Sequence, residues 1–146
     1  MNTSLTTPAL APPRRLWTLS LLLGLVAWGS SAARHHLLQS NAYDLGLFDQ
    51  WAWLLSQGLP PVSSMEQVHW LADHGAWGFA VAGGLYALTP SVQWLLATQS
   101  LALSLTAVPI WMLAAQAQLP RRLCWLACLL WWLQPVVFNS TLFDFH

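Results

Sequence analysis

The sequence predicts an all-α membrane protein with about three transmembrane helices and a large first outer loop that carries interfacial or re-entrant helices. Hydrophobic residues make up 56% of the 146 residues and charged residues only 7%, far below the roughly 25% of an ordinary soluble domain. Eleven tryptophans suit a chain with repeated water–lipid boundaries. The net charge is zero and there is no lysine, so the chain lacks the basic surface that binds nucleic acid.

Three uncharged apolar segments are long enough to cross a bilayer, which takes about 20 residues. Pro109 predicts a kink in the second of them. A further apolar stretch, 77–88, is short for a span and is stopped by Pro90, which favours a re-entrant or interfacial segment. The expected division is a cytoplasmic amino-terminal tail at 1–15, transmembrane helices at 16–33, 91–118 and 123–142, an outer loop at 34–90, a cytoplasmic loop at 119–122 and an outer tail at 143–146.

The distribution of charge predicts the orientation of these segments. Arg14-Arg15 precede the first span and Arg121-Arg122 precede the third, and arginines close to span ends stay in the cytoplasm. An even number of crossings must then separate the two pairs. The loop 34–90, which holds four of the five acids, is therefore expected on the periplasmic or exterior face of the inner (plasma) membrane. If the stretch 77–88 crosses instead, the carboxy-terminal tail lies inside.

The first span has an alternative interpretation as a signal peptide. The arginine pair, the apolar run and the small residues Ser31-Ala32-Ala33 match the three parts of such a leader. The apolar run is at the long end for a leader, and further spans follow it. Under either interpretation the loop that begins at Arg34 lies outside.

Within the outer loop, Asp44 to Gln57 is predicted to form a helix lying in the membrane interface. Apolar residues recur at spacings of three and four between Leu47 and Leu55, which gives the helix one apolar stripe. Asp44 is a good N-cap residue, and Gly58 is a suitable C-terminal stop. Asp44 is therefore expected at the start of an amphipathic helix.

Four pieces of this loop and tail form a recognisable pattern, namely Tyr43–Gln50, Gly58, Leu71–His74 and Phe143–His146. They resemble the DUF2079 family, predicted membrane proteins of cyanobacteria and other prokaryotes. The family is similar to the GT-C superfamily of membrane glycosyltransferases, and the resemblance covers roughly 34–146. The chain departs from the family pattern at Gly75-Ala76-Trp77, where relatives usually have phenylalanine and proline. Family members are also several times longer, so this chain is expected to be the amino-terminal portion of a longer protein or the product of a shortened gene. In either case it is expected to transfer no sugar by itself.

The resemblance implies a multi-span fold whose first outer loop carries a catalytic carboxylate. Such enzymes take sugar from a polyprenyl-phosphate donor, often with a divalent metal. The acids in the matching loop motif are Asp44 and Asp49. Asp44 is favoured as the catalytic residue, because the key acid of such loops opens a helix that ends at a glycine about fifteen residues later.

The chemistry of such a transfer gives roles to other loop residues. A carboxylate near the acceptor hydroxyl can accept its proton, and a metal ion or a cation must stabilise the leaving phosphate. Asp73 and His74 are candidate ligands for Mg²⁺ or Mn²⁺, and Arg34 is placed to hold a lipid phosphate. Each has a simpler interpretation, in which Asp44 only caps a helix, Asp49 lies on its solvated face, Asp73-His74 end a helix and Arg34 flanks a span.

Two classes of function therefore remain. One is a glycosyltransferase-like membrane enzyme, with membrane lipid and a polyprenyl-phosphate sugar donor as its partners. The other is a small non-catalytic subunit or remnant that packs against other membrane polypeptides. Motif content favours the first class, and chain length favours the second.

Overall fold

The computed structural model describes residues 11–40, 42–73 and 77–142. Within these ranges the chain is helical without strands, apart from an isolated antiparallel bridge between Val62 and His69. A short 3₁₀ turn, Trp77–Phe79, precedes the fourth helix. The described helices are α1 (Arg14–His36), α2 (Ala42–Ser56), α3 (Trp70–Asp73), α4 (Ala80–Leu88), α5 (Gln93–Leu105), α6 (Ala107–Gln116), α7 (Arg121–Trp132) and α8 (Pro135–Leu142).

Three long helical units of the described chain form a bundle. Helix α1 has 23 residues, and α5 and α6 join at Thr106 into a unit of 24 residues; both are apolar and long enough to cross a membrane. Helices α7 and α8 form a third unit, bent by 43° at the break between them. Two to three spans in an all-helical chain confirm the predicted fold class.

The spanning helices alternate in direction. Near the end of α1, the Trp28 indole donates to Gln93 at the start of α5, at 3.1 Å. At the other end of the bundle, Leu16 of α1 lies in the same core cluster as Trp111 of α6. Helices α5 and α6 therefore run antiparallel to α1. Helix α8 returns to the end of α1, where the Ser31 hydroxyl donates to the carbonyl of Thr141 at 2.5 Å.

This arrangement places both arginine pairs at one end of the bundle and the segment 37–92 at the other. That segment leaves α1 and re-enters at α5 on the same end, so it makes no net crossing. Helix α4 has nine residues, or about 13 Å at ~1.5 Å per residue, against a hydrocarbon core of about 30 Å. The apolar stretch that includes α4 therefore lies against α2 and does not span the bundle.

The junction of α5 and α6 is supported by side chains from α7. Pro109 has no backbone N–H, and the helix is interrupted at Thr106, three residues earlier. The Trp131 and Trp132 indoles donate to the carbonyls of Leu103 and Ser104, at 2.8 and 3.0 Å. These bonds satisfy backbone acceptors beside an irregularity that lies in the apolar part of the bundle.

The described part of the segment 37–92 forms a small layer of its own on that end of the bundle, and it is named the outer layer because it lies beyond the ends of the long helices. Helix α2 packs against α4 and the start of α5 through a core cluster that includes Phe48, Trp51, Tyr86 and Leu95. The prediction that Asp44 caps α2 is wrong, because the helix begins at Ala42 and Asp44 lies inside its first turn. Three more residues, 42–44, are helical than the N-cap interpretation assumed.

The contact between α2 and α4 depends on the absence of a side chain at Gly83. A Cβ at this position would lie 2.7 Å from Cβ of Leu55, whereas a Cβ at Gly84 would meet nothing within 4 Å. The two neighbouring glycines therefore offer a matched pair of substitutions that separates packing from helix propensity.

We expect Gly83→Ala to destabilise the outer layer by about 1–3 kcal/mol, as overpacking of a tight contact does. Gly84→Ala should be neutral or stabilise by up to about 1 kcal/mol, because alanine favours the helix over glycine. Thermal unfolding in detergent, followed by tryptophan fluorescence, measures both. Equal shifts for the two variants would contradict the tight α2–α4 contact.

Candidate functional site

A cavity of about 560 Å³ opens at the end of the bundle that carries the outer layer. Its volume lies within the range of about 300–1,000 Å³ that is typical of small-molecule sites. Residues from four parts of the chain line it, all within or next to the outer layer. They are His35, Leu38 and Ser40 at the end of α1, Leu45, Gly46, Asp49 and Trp53 of α2, Tyr86 of α4, and Pro90, Ser91 and Val92 before α5.

Helical spacing explains why α2 brings a carboxylate to this cavity. Gly46, Asp49 and Trp53 follow one another at intervals of three and four, so they share one face of the helix. A Cβ at Gly46 would meet nothing within 4 Å, so the glycine leaves open space beside Asp49. The adjacent face, with Phe48 and Ala52, is buried in the core cluster.

The Asp49 carboxylate is held by a tyrosine from α4. The Tyr86 hydroxyl donates to Oδ1 of Asp49 at 2.5 Å, and the Tyr86 side chain is only 2% exposed. Burial first, and then the hydrogen bond and charge of Asp49, raise the pKa of Tyr86 well above its usual range. Tyr86 therefore keeps its proton at physiological pH and orients the carboxylate.

His35 contributes the imidazole of the cavity. It belongs to the last turn of α1, and its Nδ1 lies 3.0 Å from the hydroxyl of Ser40. Asp49, Tyr86 and His35 thus give one cavity a carboxylate, a protonated phenol and an imidazole.

Asp44 lies in a different environment from Asp49, although both belong to the same short motif. The two residues are five positions apart, or about 140° around a helix with ~100° per residue. Asp44 does not line the cavity. It lies close enough to Tyr43 for its charge to act on the Tyr43 hydroxyl, which donates to Glu66. The pKa of Tyr43 is raised first by the hydrogen bond to Glu66, then by burial, and then by the negative charges of Glu66, Asp44 and Asp73.

Gln50, the last residue of the motif, fixes the connector that carries Glu66. Its Oε1 accepts from the backbone N–H of Ser64 at 3.0 Å and from the Ser63 hydroxyl at 3.3 Å. The Ser63 hydroxyl in turn accepts from the N–H of Met65 at 3.0 Å. Gln50 therefore positions the loop that follows α2, a role that the sequence interpretation did not give it.

Arg34 contacts the backbone of two other segments. Its Nε donates to the carbonyl of Leu142 and its Nη2 to the carbonyl of Gln39, both at 2.9 Å. A cation at the carboxyl end of α8 also complements the helix dipole. Arg34 does not line the cavity, although its neighbour His35 does.

The residues that the structure describes do not form a metal site. No three His, Cys, Asp or Glu side chains come together there in a way that would hold an ion. Asp73 ends α3, and its predicted partner His74 lies outside the described residues. Asp73 and His74 as ligands of Mg²⁺ or Mn²⁺ therefore stay a prediction.

Two of the cavity's polar residues were not predicted from the sequence. Tyr86 is 37 positions from Asp49 and lies in a segment that the sequence shows only as an apolar patch. His35 follows Arg34 in the last turn of α1, which brings it to the cavity wall. Of the predicted site residues, the structure brings Asp49 to the cavity and leaves Asp44, Arg34 and Asp73 outside its lining.

Comparison with known proteins identifies the family. A family model described as "Predicted membrane protein (DUF2079)" matches residues 34–146, a range that includes all the residues of the cavity lining. No curated protein and no solved structure matches the chain. The resemblance that rested on Tyr43–Gln50 is confirmed at the level of the family. The chain belongs to the DUF2079 family of predicted membrane proteins.

Proposed function

We propose that this chain forms the loop-bearing part of a GT-C-type membrane glycosyltransferase that takes sugar from a polyprenyl-phosphate donor. The observation that carries the proposal is the Asp49 carboxylate, which belongs to the family motif and lines a cavity of substrate size at the end of the membrane bundle. The apolar spans below the cavity give a lipid-linked donor a route to it. The similarity of the family to GT-C enzymes supports the reaction class by analogy.

Asp49 is the proposed base of the reaction. In the transfer, the acceptor hydroxyl loses its proton to the carboxylate and bonds to the sugar carbon, while the bond from that carbon to the phosphate oxygen breaks. Among the described residues Tyr86 alone donates to the Asp49 side chain, through Oδ1. Oδ2 is therefore available to take the proton of the sugar acceptor's hydroxyl. The hydrogen bond from Tyr86 fixes the orientation of the carboxylate.

The leaving polyprenyl phosphate gains negative charge, which the site must stabilise. His35 lines the same cavity, and its imidazole N–H can donate a hydrogen bond to a phosphate oxygen there. We assign no step to Mg²⁺ or Mn²⁺, because the described residues do not form a metal site. Asp44 is the second candidate for the base, and the experiment below separates the two.

We expect Asp49→Asn to lower sugar transfer by about 10²-fold or more, since general bases contribute about 10²–10⁴-fold and an amide binds no proton at neutral pH. The assay uses native membranes, in which any companion polypeptides are present, and follows label from polyprenyl-phosphate sugars into product. Asp44→Asn is the matched control and should cost less than about tenfold, since Asp44 does not line the cavity.

The reverse order of these two effects would assign the base to Asp44 and overturn the assignment to Asp49. Size-exclusion profiles of both variants, compared with wild type, establish that each remains folded. If wild-type membranes transfer no sugar from any polyprenyl-phosphate donor, the enzyme proposal fails and the non-catalytic subunit is the better interpretation.

The proposal also requires the cavity to face the exterior or periplasm. Cysteine substitutions at two exposed helix ends, Gln57 after α2 and Ala117 after α6, report the two sides of the bundle. The native Cys124 and Cys128 are buried, so the wild-type chain is the unlabelled control. We expect a membrane-impermeant maleimide to label Gln57→Cys in intact spheroplasts and Ala117→Cys only after lysis. The opposite pattern would show that the cavity faces the cytoplasm.

A further inference from the structure

A groove between α1 and α5 descends from the cavity into the apolar part of the bundle. Its volume is about 390 Å³. Its lower walls are the apolar side chains Leu25, Ala97 and Leu101, and Trp28 stands above them. Its upper end is polar, with Thr89, Ser91, Gln93 and Trp94.

The groove and the cavity meet at Ser91, which lines both. The groove follows α5 from Gln93 to Leu101, a rise of about 12 Å for the eight steps between them at ~1.5 Å each. That length is close to the half-thickness, about 15 Å, of a hydrocarbon core. A single elongated molecule can therefore occupy the cavity with its polar end and the groove with an apolar end that reaches toward the membrane midplane.

The floor of the groove is set by the contact of α1 with α5. A Cβ at Gly24 would lie 2.8 Å from Cδ2 of Leu101, so the glycine lets the Leu101 side chain fold in against α1. A larger residue at either position would change the shape of the floor. The groove is thus a product of tight helix packing and of the side chains above it.

The upper end of the groove presents a hydrogen-bond donor. Oε1 of Gln93 accepts from the Trp28 indole at 3.1 Å, which fixes the orientation of the amide. Nε2 of Gln93 has no hydrogen-bond partner among the described residues, and it lies at the level where groove and cavity meet. An amide N–H at this level suits a phosphate oxygen, because phosphate is an acceptor of hydrogen bonds.

We propose that the groove binds the hydrocarbon chain of a polyprenyl phosphate, with the phosphate at Gln93 and the sugar in the cavity beside Asp49. This inference rests on the proposed function and adds the place where the lipid is held. One continuous groove accommodates one chain, which fits a polyprenyl lipid better than a phospholipid with two acyl chains. The lipid reaches the cavity sideways from the outer leaflet, between α1 and α5.

The test uses the full chain in nanodiscs and a polyprenyl phosphate that carries a diazirine on its hydrocarbon chain. After photolysis we expect the label in peptides that contain 25–28 and 94–101. Ala97→Trp fills the groove and should lower this labelling about tenfold or more, equivalent to about 1.4 kcal/mol of binding free energy. Ala102→Trp is the matched control, because Ala102 is exposed on α5 about 140° away from Ala97.

Wild-type labelling that is spread evenly over the exposed faces of the bundle would overturn the proposal, and this readout does not depend on the folding of any variant. A phosphatidic acid with the same diazirine should label the groove weakly, and equal labelling by it would overturn the assignment to a polyprenyl chain. If the groove is labelled as expected while native membranes transfer no sugar, the transferase proposal fails and the lipid site stands. Transfer together with labelling that Ala97→Trp leaves unchanged would overturn the lipid site alone.

Discussion

The close contact of α1 and α5 at Gly24 is the constraint on which the site depends. A Cβ there would approach Cδ2 of Leu101 to 2.8 Å and its Cα to 3.3 Å, so the two helix backbones are near each other. In lipid, helices associate through such packing, because apolar surface gains little by leaving an apolar solvent. The contact fixes the end of α1, which carries His35, relative to the start of α5. The cavity and the groove below it both depend on this fixed position of α1 relative to α5.

Polar groups inside the bundle are used mainly to satisfy backbone acceptors. The last carbonyls of α8 have no partner within their own helix, and each accepts from a side chain of another helix. Gln99 donates to Ser140, Ser31 to Thr141, and Arg34 to Leu142. Three donors from α1 and α5 therefore close the end of the helix next to the cavity. The requirement that membrane-embedded backbone be satisfied explains the position of Arg34 without a ligand.

The sequence was sufficient for the fold class and insufficient for the site, for different physical reasons. Apolar length alone indicates spans, and it predicted a first helix at 16–33 where α1 covers Arg14–His36. The site depends on contacts between distant segments, such as the bond from Tyr86 to Asp49, and no periodicity marks them. Gly83 is the residue that lets α4 approach α2, but a glycine in an apolar run does not identify its neighbour. The start of α2 was also misjudged, because capping preference places a helix end only within a few residues.

The two carboxylates of the motif have separate electrostatic environments, and that separation bears on which of them meets a phosphate. Asp44 lies with Glu66 and Asp73 in the field around Tyr43, and three negative charges disfavour an anionic ligand within a screening length of about 8–10 Å. Asp49 shares its cavity with the neutral Tyr86 and with His35, and with no other carboxylate of the described residues. A lipid phosphate therefore costs less free energy to bring to the Asp49 face of α2 than to the Asp44 face. Helical geometry separates the two faces of α2 by about 140°. One short motif can therefore place a negatively charged face toward water and the cavity-lining face toward the bundle.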